Sequence, residues 1–276
     1  MALNVPTFFK RLGSSIVFVA IMLTGLLWNE WSFLGLICLI EVLCLRDYFR
    51  LVQKIDKETY WPKWIPVVIQ IMGLLVMCLF SNMVSGWLPV AATVTLILLP
   101  VVPALALMAA ILSKKSSFLA LLQATGGLLY ITLPMLLLVC MRPYGFALPL
   151  AIIIMIWSND TMAYLVGSFF GKHQFSPISP KKTWEGVIGG AVLTIIGAGV
   201  YGYLSGTYRF IDWMVLALCV TVAGTLGDLM ESKLKRMADV KDSGTLMPGH
   251  GGALDRFDSL LVAAPFAFVY AYYFMR

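Results

Sequence analysis

Charge is scarce in this chain of 276 residues: Asp, Glu, Lys and Arg make up 12% of it, against 60% hydrophobic residues. Its mean hydropathy of +0.89 excludes an ordinary soluble domain. Histidine occurs only twice and cysteine five times. Cys38, Cys44, Cys78, Cys140 and Cys219 sit in or at the ends of apolar runs, at no metal-ligand spacing. Their odd number argues against a disulfide framework, and they are read as inert thiols. No glycine-rich loop ends in Lys-Ser/Thr, which excludes a Walker nucleotide site. No internal repeat is visible, so the inverted-repeat plan of many transporters lacks support. Low-complexity stretches and linkers are also missing. A basic flank (Lys10, Arg11) precedes the first apolar run, but no small-residue cleavage site follows it and a second run begins at once. The first helix is therefore expected to be retained rather than removed as a secretion signal.

What the chain does have is apolar length. A bilayer span takes roughly 20 residues. Nine candidate runs lie at about 14–28, 31–45, 64–81, 87–112, 117–141, 147–171, 186–206, 211–230 and 258–275. The expectation is an all-α, polytopic integral membrane protein of about nine transmembrane helices, folded as one membrane domain over 1–276. Residues 1–145 read as scaffold spans, and residues 146–276 as catalytic spans with cytoplasmic loops. With the N-terminus in the cytoplasm, seventeen of the twenty Lys and Arg fall on the inner side, and only Arg142, Arg209 and Arg276 fall outside. That satisfies the positive-inside rule at every loop, and a lost or added span would invert the later loops. Trp28, Trp31 and Trp87 fall at the outer boundary and Trp61 and Trp64 at the inner one, as an interfacial aromatic belt requires. Anionic headgroups account for the net charge of +6, so no nucleic-acid partner is expected.

The scarce charge is concentrated. Residues 232–258 read SKLKRMADVKDSGTLMPGHGGALDRFD and hold ten ionisable groups. Just upstream, Asp228, Glu231, Ser232 and Lys235 stand at i, i+3, i+4 and i+7, one face of a helix. Glu231 and Lys235 are either part of a polar stripe or an ordinary i,i+4 pair at a helix exit. Asp228 follows a run without charge back to Asp212 and is expected at membrane depth, where ionisable groups are costly and usually functional. The glycines around His250, among them Gly251 and Gly252, allow backbone N–H groups to converge on an anion. Asp255, Arg256 and Asp258 open the last span, where acids also suit a helix N-terminus as simple caps. A second constellation runs from Asn159-Asp160-Thr161, inside an apolar helix, to Ser179-Pro180-Lys181-Lys182-Thr183-Trp184-Glu185. Asp160 is expected to face protein or water. The lysine loop suits a triphosphate or an anionic lipid headgroup, or is an ordinary inner-face lysine pair. Gly186 and Gly190 read as helix packing. Carboxylates for a hard cation beside bases for phosphate is the chemistry of nucleotidyl or phosphoryl transfer, and Mg²⁺ is typically held by one or two carboxylates plus substrate phosphates. Asp228 and Asp255 are the first candidate ligands, with Asp258 beside them.

These residues resemble a known family. Ser232, Leu234, Lys235-Arg236, Lys241-Asp242, Gly244, Pro248, His250-Gly251-Gly252, Asp255-Arg256 and Asp258 stand at the spacings of the phosphatidate cytidylyltransferase (CDP-diglyceride synthase) signature. Met247 and Ala253 depart from that pattern, though both stay apolar. Asp160-Thr161, Ala163-Tyr164 and Ser179 to Gly186 are similar to the same family. The resemblance is strong over about 157–260, while the N-terminal half agrees only in length and span count. It implies that CTP and phosphatidic acid give CDP-diacylglycerol and pyrophosphate. It also implies Mg²⁺ dependence, a two-metal centre that includes K⁺, and a homodimer in the bacterial cytoplasmic (inner) membrane. On this reading the active site is on the cytoplasmic side. Asp228, Asp255, Lys235, Arg236 and His250 would be catalytic. Ser179, Lys181, Lys182, Lys241, Arg256, Asp160, Gly251 and Gly252 would bind substrate. Three rivals stay open: a CTP-dependent lipid kinase, which would release CDP rather than pyrophosphate, a cytidylyltransferase for another phospholipid, and an ion-coupled transporter using Asp160 and Asp228.

Overall fold

In a computed structural model, the structure describes residues 5–59, 61–81, 118–246 and 251–275. The expected span at 87–112 and the residues Pro248, Gly249 and His250 lie outside the described residues. The regular elements among the described residues are helices apart from one short hairpin, and the polar segment from 238 to 246 is irregular. Among the described residues, five helices are long and apolar enough to cross a membrane: Leu119–Tyr144, Ala147–Phe170, Trp184–Ser205, Phe210–Met237 and Leu254–Phe274. Gly13–Leu27 and Trp64–Phe80 are shorter apolar helices. The chain divides into two compact units, Met1–Phe146 with Met237–Arg256, and Ala147–Arg236 with Phe257–Arg276.

In the first unit, α1 (Val5–Leu27) is followed after two residues by α2 (Glu30–Ile55). The tight turn expected at Asn29 is a capping box: Ser32 N–H donates to Asn29 Oδ1 at 2.8 Å, and Asn29 N–H to Ser32 Oγ at 3.0 Å. Helix α2 runs ten residues past the end expected at position 45, because the charged continuation is amphipathic. Asp47, Tyr48, Phe49, Leu51 and Val52 are buried, whereas Arg46, Arg50, Gln53 and Lys54 face out. At its C-cap, Asp56 accepts from the Thr59 hydroxyl and backbone N–H, which holds its carboxyl below the usual value.

Helix α3 (Trp64–Phe80) and the run α4 (Phe118–Gly127), π turn (Leu128–Thr132) and α5 (Leu133–Met141) complete this helical part of the unit. The π turn has a local cause. Pro134 carries no N–H and crowds the carbonyl four residues back, so the ladder widens and Leu133 N–H reaches Leu128 O. Thr132, on that turn, donates to Glu41 Oε1 at 2.9 Å. Glu41 is fully buried on α2, opposite Gly73 of α3. Phe33, Ile37, Leu45, Met77, Ile131 and Leu138 are buried in the core of this unit.

The second unit is built on α6 (Ala147–Phe170), an antiparallel hairpin of β1 (Gln174–Ser176) and β2 (Ser179–Thr183), α7 (Trp184–Ser205), α8 (Phe210–Met237) and most of α9 (Leu254–Phe274). Helices α6 and α7 meet backbone to backbone. A Cβ at Gly186 would stand 2.7 Å from Ala163 O, and one at Gly190 would stand 2.8 Å from Ala163 N. Helices α8 and α9 approach through Gly224 and Gly227, which face Ser259 and Val262. At the start of α8, the fully buried Asp212 takes a two-pronged pair from Arg209 (3.0 and 3.1 Å) and a hydrogen bond from Tyr270 of α9 (3.2 Å). The Trp213 ring packs against Tyr201 of α7 with centroids 4.9 Å apart. This clamp lies about 24 Å along α8 from Asp228, at the helical rise per residue.

Candidate active site

The hairpin is fixed to the head of α7 by one carboxylate. Glu185 accepts from Lys172 N–H (3.1 Å) and His173 N–H (3.2 Å), and its other oxygen is 2.6 Å from His173 Nδ1. Trp184 N–H donates to His173 O at 2.9 Å, and Phe175 meets the Trp184 ring edge-on at 4.6 Å. Thr183 caps α7, its hydroxyl accepting from Gly186 N–H. The segment read as a loop is therefore a hairpin strapped down at both ends.

This strap brings Lys182 into an ion pair with Asp228 of α8. The two line a cavity of 500 Å³ together with Asn159 and Asp160 of α6, Tyr164 and Lys181. Asp160 thus faces a cavity, as its cost in lipid requires. Ser179 opens β2, opposite Ser176.

The stripe on α8 has the expected face. Ser232 donates to Asp228 Oδ1 at 3.4 Å, and Lys235 pairs with Glu231. Glu231 is 0% exposed and Lys235 is mostly buried. Gly227 has no side chain where α9 crosses, and Asp258 enters from α9. One carboxylate oxygen from each of Asp228, Glu231 and Asp258 lies within 4.8 Å of the others. Three carboxylates this close repel one another, and Lys182 and Lys235 supply two opposing charges. Oxygen-only donors of this charge suit a hard divalent cation. Sequence reasoning named Asp228 and Asp258 as ligands but left Glu231 as either part of the stripe or an ordinary pair with Lys235. Its spacing from Asp228 was the signal for the larger role.

Asp255 is bound differently. It belongs to the first unit, where its Oδ2 accepts from Ser243 N–H (2.8 Å), Ser243 Oγ–H (2.8 Å) and Gly252 N–H (2.7 Å). Gly251, at φ +85°, makes the turn that only glycine adopts easily. The same segment is gripped by Asp47 of α2, which sequence reasoning missed altogether. Asp47 is 5% exposed, and its Oδ2 accepts from Ala253 N–H (2.7 Å) and Leu254 N–H (3.3 Å). A Cβ at Gly244 would stand 2.5 Å from Asp47 Oδ1, and one at Gly252 would stand closer still to Asp47 Oδ2. Lys241 lines a separate cavity of the first unit. Arg236 and Arg256 are exposed, one at the last turn of α8 and one at the first turn of α9.

A family model described as the cytidylyltransferase family matches residues 9–274. Proteins named phosphatidate cytidylyltransferase are among the similar sequences. That of Haemophilus influenzae is 43% identical over 140 residues, covering 48% of each chain. That of Bacillus subtilis is 45% identical over 127 residues, covering 45% of this chain and 47% of the relative. In these two matches the chain spans about half the length of the curated relative. The Synechocystis protein of the same name is 32% identical over 289 residues, covering 95% of both.

Proposed function

This chain belongs to the cytidylyltransferase family, and from that premise we propose that it transfers the cytidylyl group of CTP to phosphatidic acid, giving CDP-diacylglycerol and pyrophosphate. The observation that carries the reading is the group of Asp228, Glu231 and Asp258 with Lys182 and Lys235 paired against it. A carboxylate group suited to a hard cation and edged by lysines is what a polyphosphate with its metal needs. The proteins named phosphatidate cytidylyltransferase support the choice of substrate.

In the reaction, a phosphate oxygen of phosphatidate attacks the α-phosphorus of CTP. The new O–P bond forms as the bond from that phosphorus to the bridging oxygen breaks, and pyrophosphate leaves with the electron pair. The nucleophile is already an anion, so no protein base is required. The residues act by position and by charge. Lys182 exchanges Asp228 for a substrate phosphate, Lys181 lies on the same cavity wall, and Asp160 limits how much negative charge the cavity accepts. Lys235 and Arg236 neutralise the polyphosphate from α8. For Lys241, Arg256, His250, Gly251 and Gly252, a part in the reaction rests on the family resemblance alone. Asp228, Asp258 and Glu231 would hold Mg²⁺; Asp255 as a ligand and K⁺ as a second cation rest on the family resemblance alone. The chemistry such an ion would supply when held there is neutralisation of negative charge on phosphate oxygens, which would favour departure of pyrophosphate.

The finer topology is part of the proposal: nine spans, the N-terminus in the cytoplasm, and the active site on that side, where CTP is available. The distribution of Lys and Arg supports it. Membership of a bacterial cytoplasmic membrane agrees with the bacterial relatives, and a homodimer rests on the family resemblance. Asp228→Asn and Asp258→Asn in purified, folded protein test the metal assignment. Each should lower CTP-dependent CDP-lipid formation on the order of 10²-fold, the scale for removing one preorganised electrostatic partner. Near wild-type activity at every Mg²⁺ concentration would sink the assignment.

A further inference from the structure

The second cavity lies wholly within the first unit, and one of its walls is the polar segment that carries Lys241, Asp242 and Gly244. It has a volume of 630 Å³ and is lined by the last turns of α2 and by residues 241–245. Three bases enter its lining, Arg50, Lys54 and Lys241, against one acid, Asp242. All four are exposed. Neither Arg50 nor Lys54 belongs to any signature, and on sequence alone both read as ordinary inner-face charge.

Two features separate this cavity from a solvated basic face. The first is that its wall is held from behind by buried groups. Asp47 grips Ala253 and Leu254 from α2, and Asp255 ties Ser243 to Gly252. The irregular segment carrying Lys241 is thereby pinned against α2, with Gly244 seated on the Asp47 carboxylate. The second is that these neighbouring carboxylates are already committed. Asp47 Oδ2 serves two N–H groups, and its Oδ1 is 3.9 Å from Arg50, a long contact to a half-exposed side chain. Asp255 Oδ2 serves three donors. The fixed wall therefore presents an excess of positive charge in a concave space.

We propose that this cavity is a phosphate-binding subsite, with Arg50 and Lys54 of α2 and Lys241 of the polar segment as its cationic groups. The bound group is a phosphate of either the soluble nucleotide or the lipid, both of which are phosphate esters. The inference rests on the reading of the chain as a CTP-using enzyme, and it adds α2 to the residues that meet substrate. Arg50 supplies a planar fork for two phosphate oxygens, and Lys54 a mobile point charge.

The test is a comparison of Arg50→Ala, Lys54→Ala and the double variant with Lys57→Ala, which removes an exposed charge outside the cavity lining. KM for CTP and for phosphatidic acid is measured separately in mixed micelles, with binding of inorganic triphosphate measured by calorimetry. Each cavity variant should raise the KM of one substrate about tenfold, the scale of one lost charge-assisted hydrogen bond. A rise confined to CTP, together with weakened triphosphate binding, assigns the subsite to the nucleotide. A rise confined to phosphatidic acid, with triphosphate binding intact, assigns it to the lipid. Both results support a phosphate subsite. Arg50→Lys and Lys54→Arg should recover part of the loss while melting temperatures stay level, which separates binding from folding. Unchanged KM values for both substrates, or changes no larger than those of Lys57→Ala, overturn the inference. Wild-type protein that forms no CDP-lipid would instead overturn the enzymatic reading beneath it.

Discussion

Asp47→Ala removes the acceptor that joins α2 to the start of α9 within the first unit. The bond from Ala253 N–H, at 2.7 Å, is short and made to a carboxylate, so its loss costs about 1.5–3 kcal/mol. The bond from Leu254 N–H, at 3.3 Å, belongs at the weak end, about 0.5–1 kcal/mol. The contact with Arg50 adds little, since it is 3.9 Å long and the Arg50 side chain is 47% exposed. The sum is about 2–4 kcal/mol, which corresponds to a fall in Tm of about 5–15 °C for a chain of this size. Asp47→Asn keeps an acceptor oxygen without the charge and should lose about half as much. The assay is thermal unfolding of purified protein in detergent, followed at the same temperature by CDP-lipid formation. Below its Tm, Asp47→Ala should still lose activity, because the segment carrying Lys241, Gly251 and Asp255 is no longer held. A variant with wild-type Tm and wild-type turnover would refute the reasoning.

Other outcomes follow from particular contacts. Gly190→Ala forces a methyl group to within 2.8 Å of the Ala163 backbone and should destabilise by about 1–3 kcal/mol. Gly197→Ala, on the same helix with nothing within 4 Å, should be neutral or stabilising by up to about 1 kcal/mol, and a melt of the pair checks both. Glu185→Ala releases Lys172, His173 and the hairpin. It should raise the KM of the substrate that Lys181 and Lys182 meet while leaving the global melt within a few degrees, and limited proteolysis should cut between 172 and 183.

Helical periodicity made much of the site readable. The i, i+3, i+4, i+7 stripe from Asp228 to Lys235 required only that α8 be a helix, and its members interact as the spacing implies. The cost of a carboxylate in an apolar run likewise marked Asp160, which faces a cavity. The hairpin was not readable, because its strands are three and five residues long and are held by Glu185 rather than by an alternating apolar pattern. The length of α2 was understated because hydropathy falls after position 45, whereas an amphipathic helix needs only one apolar face. Asp47 was invisible for a further reason. Its partners are 206 and 207 residues away, and nothing local distinguishes a buried acid from one beside two surface arginines.

The central claim is the transfer of a cytidylyl group, and the fate of the CTP phosphates tests it most directly. Purified protein is given phosphatidic acid with CTP labelled either at the α or at the γ phosphate, with and without Mg²⁺. The account predicts that the α label enters the lipid fraction, that the γ label leaves as pyrophosphate in equal amount, and that both events require Mg²⁺. Transfer of the γ label to lipid, with release of CDP, would contradict it.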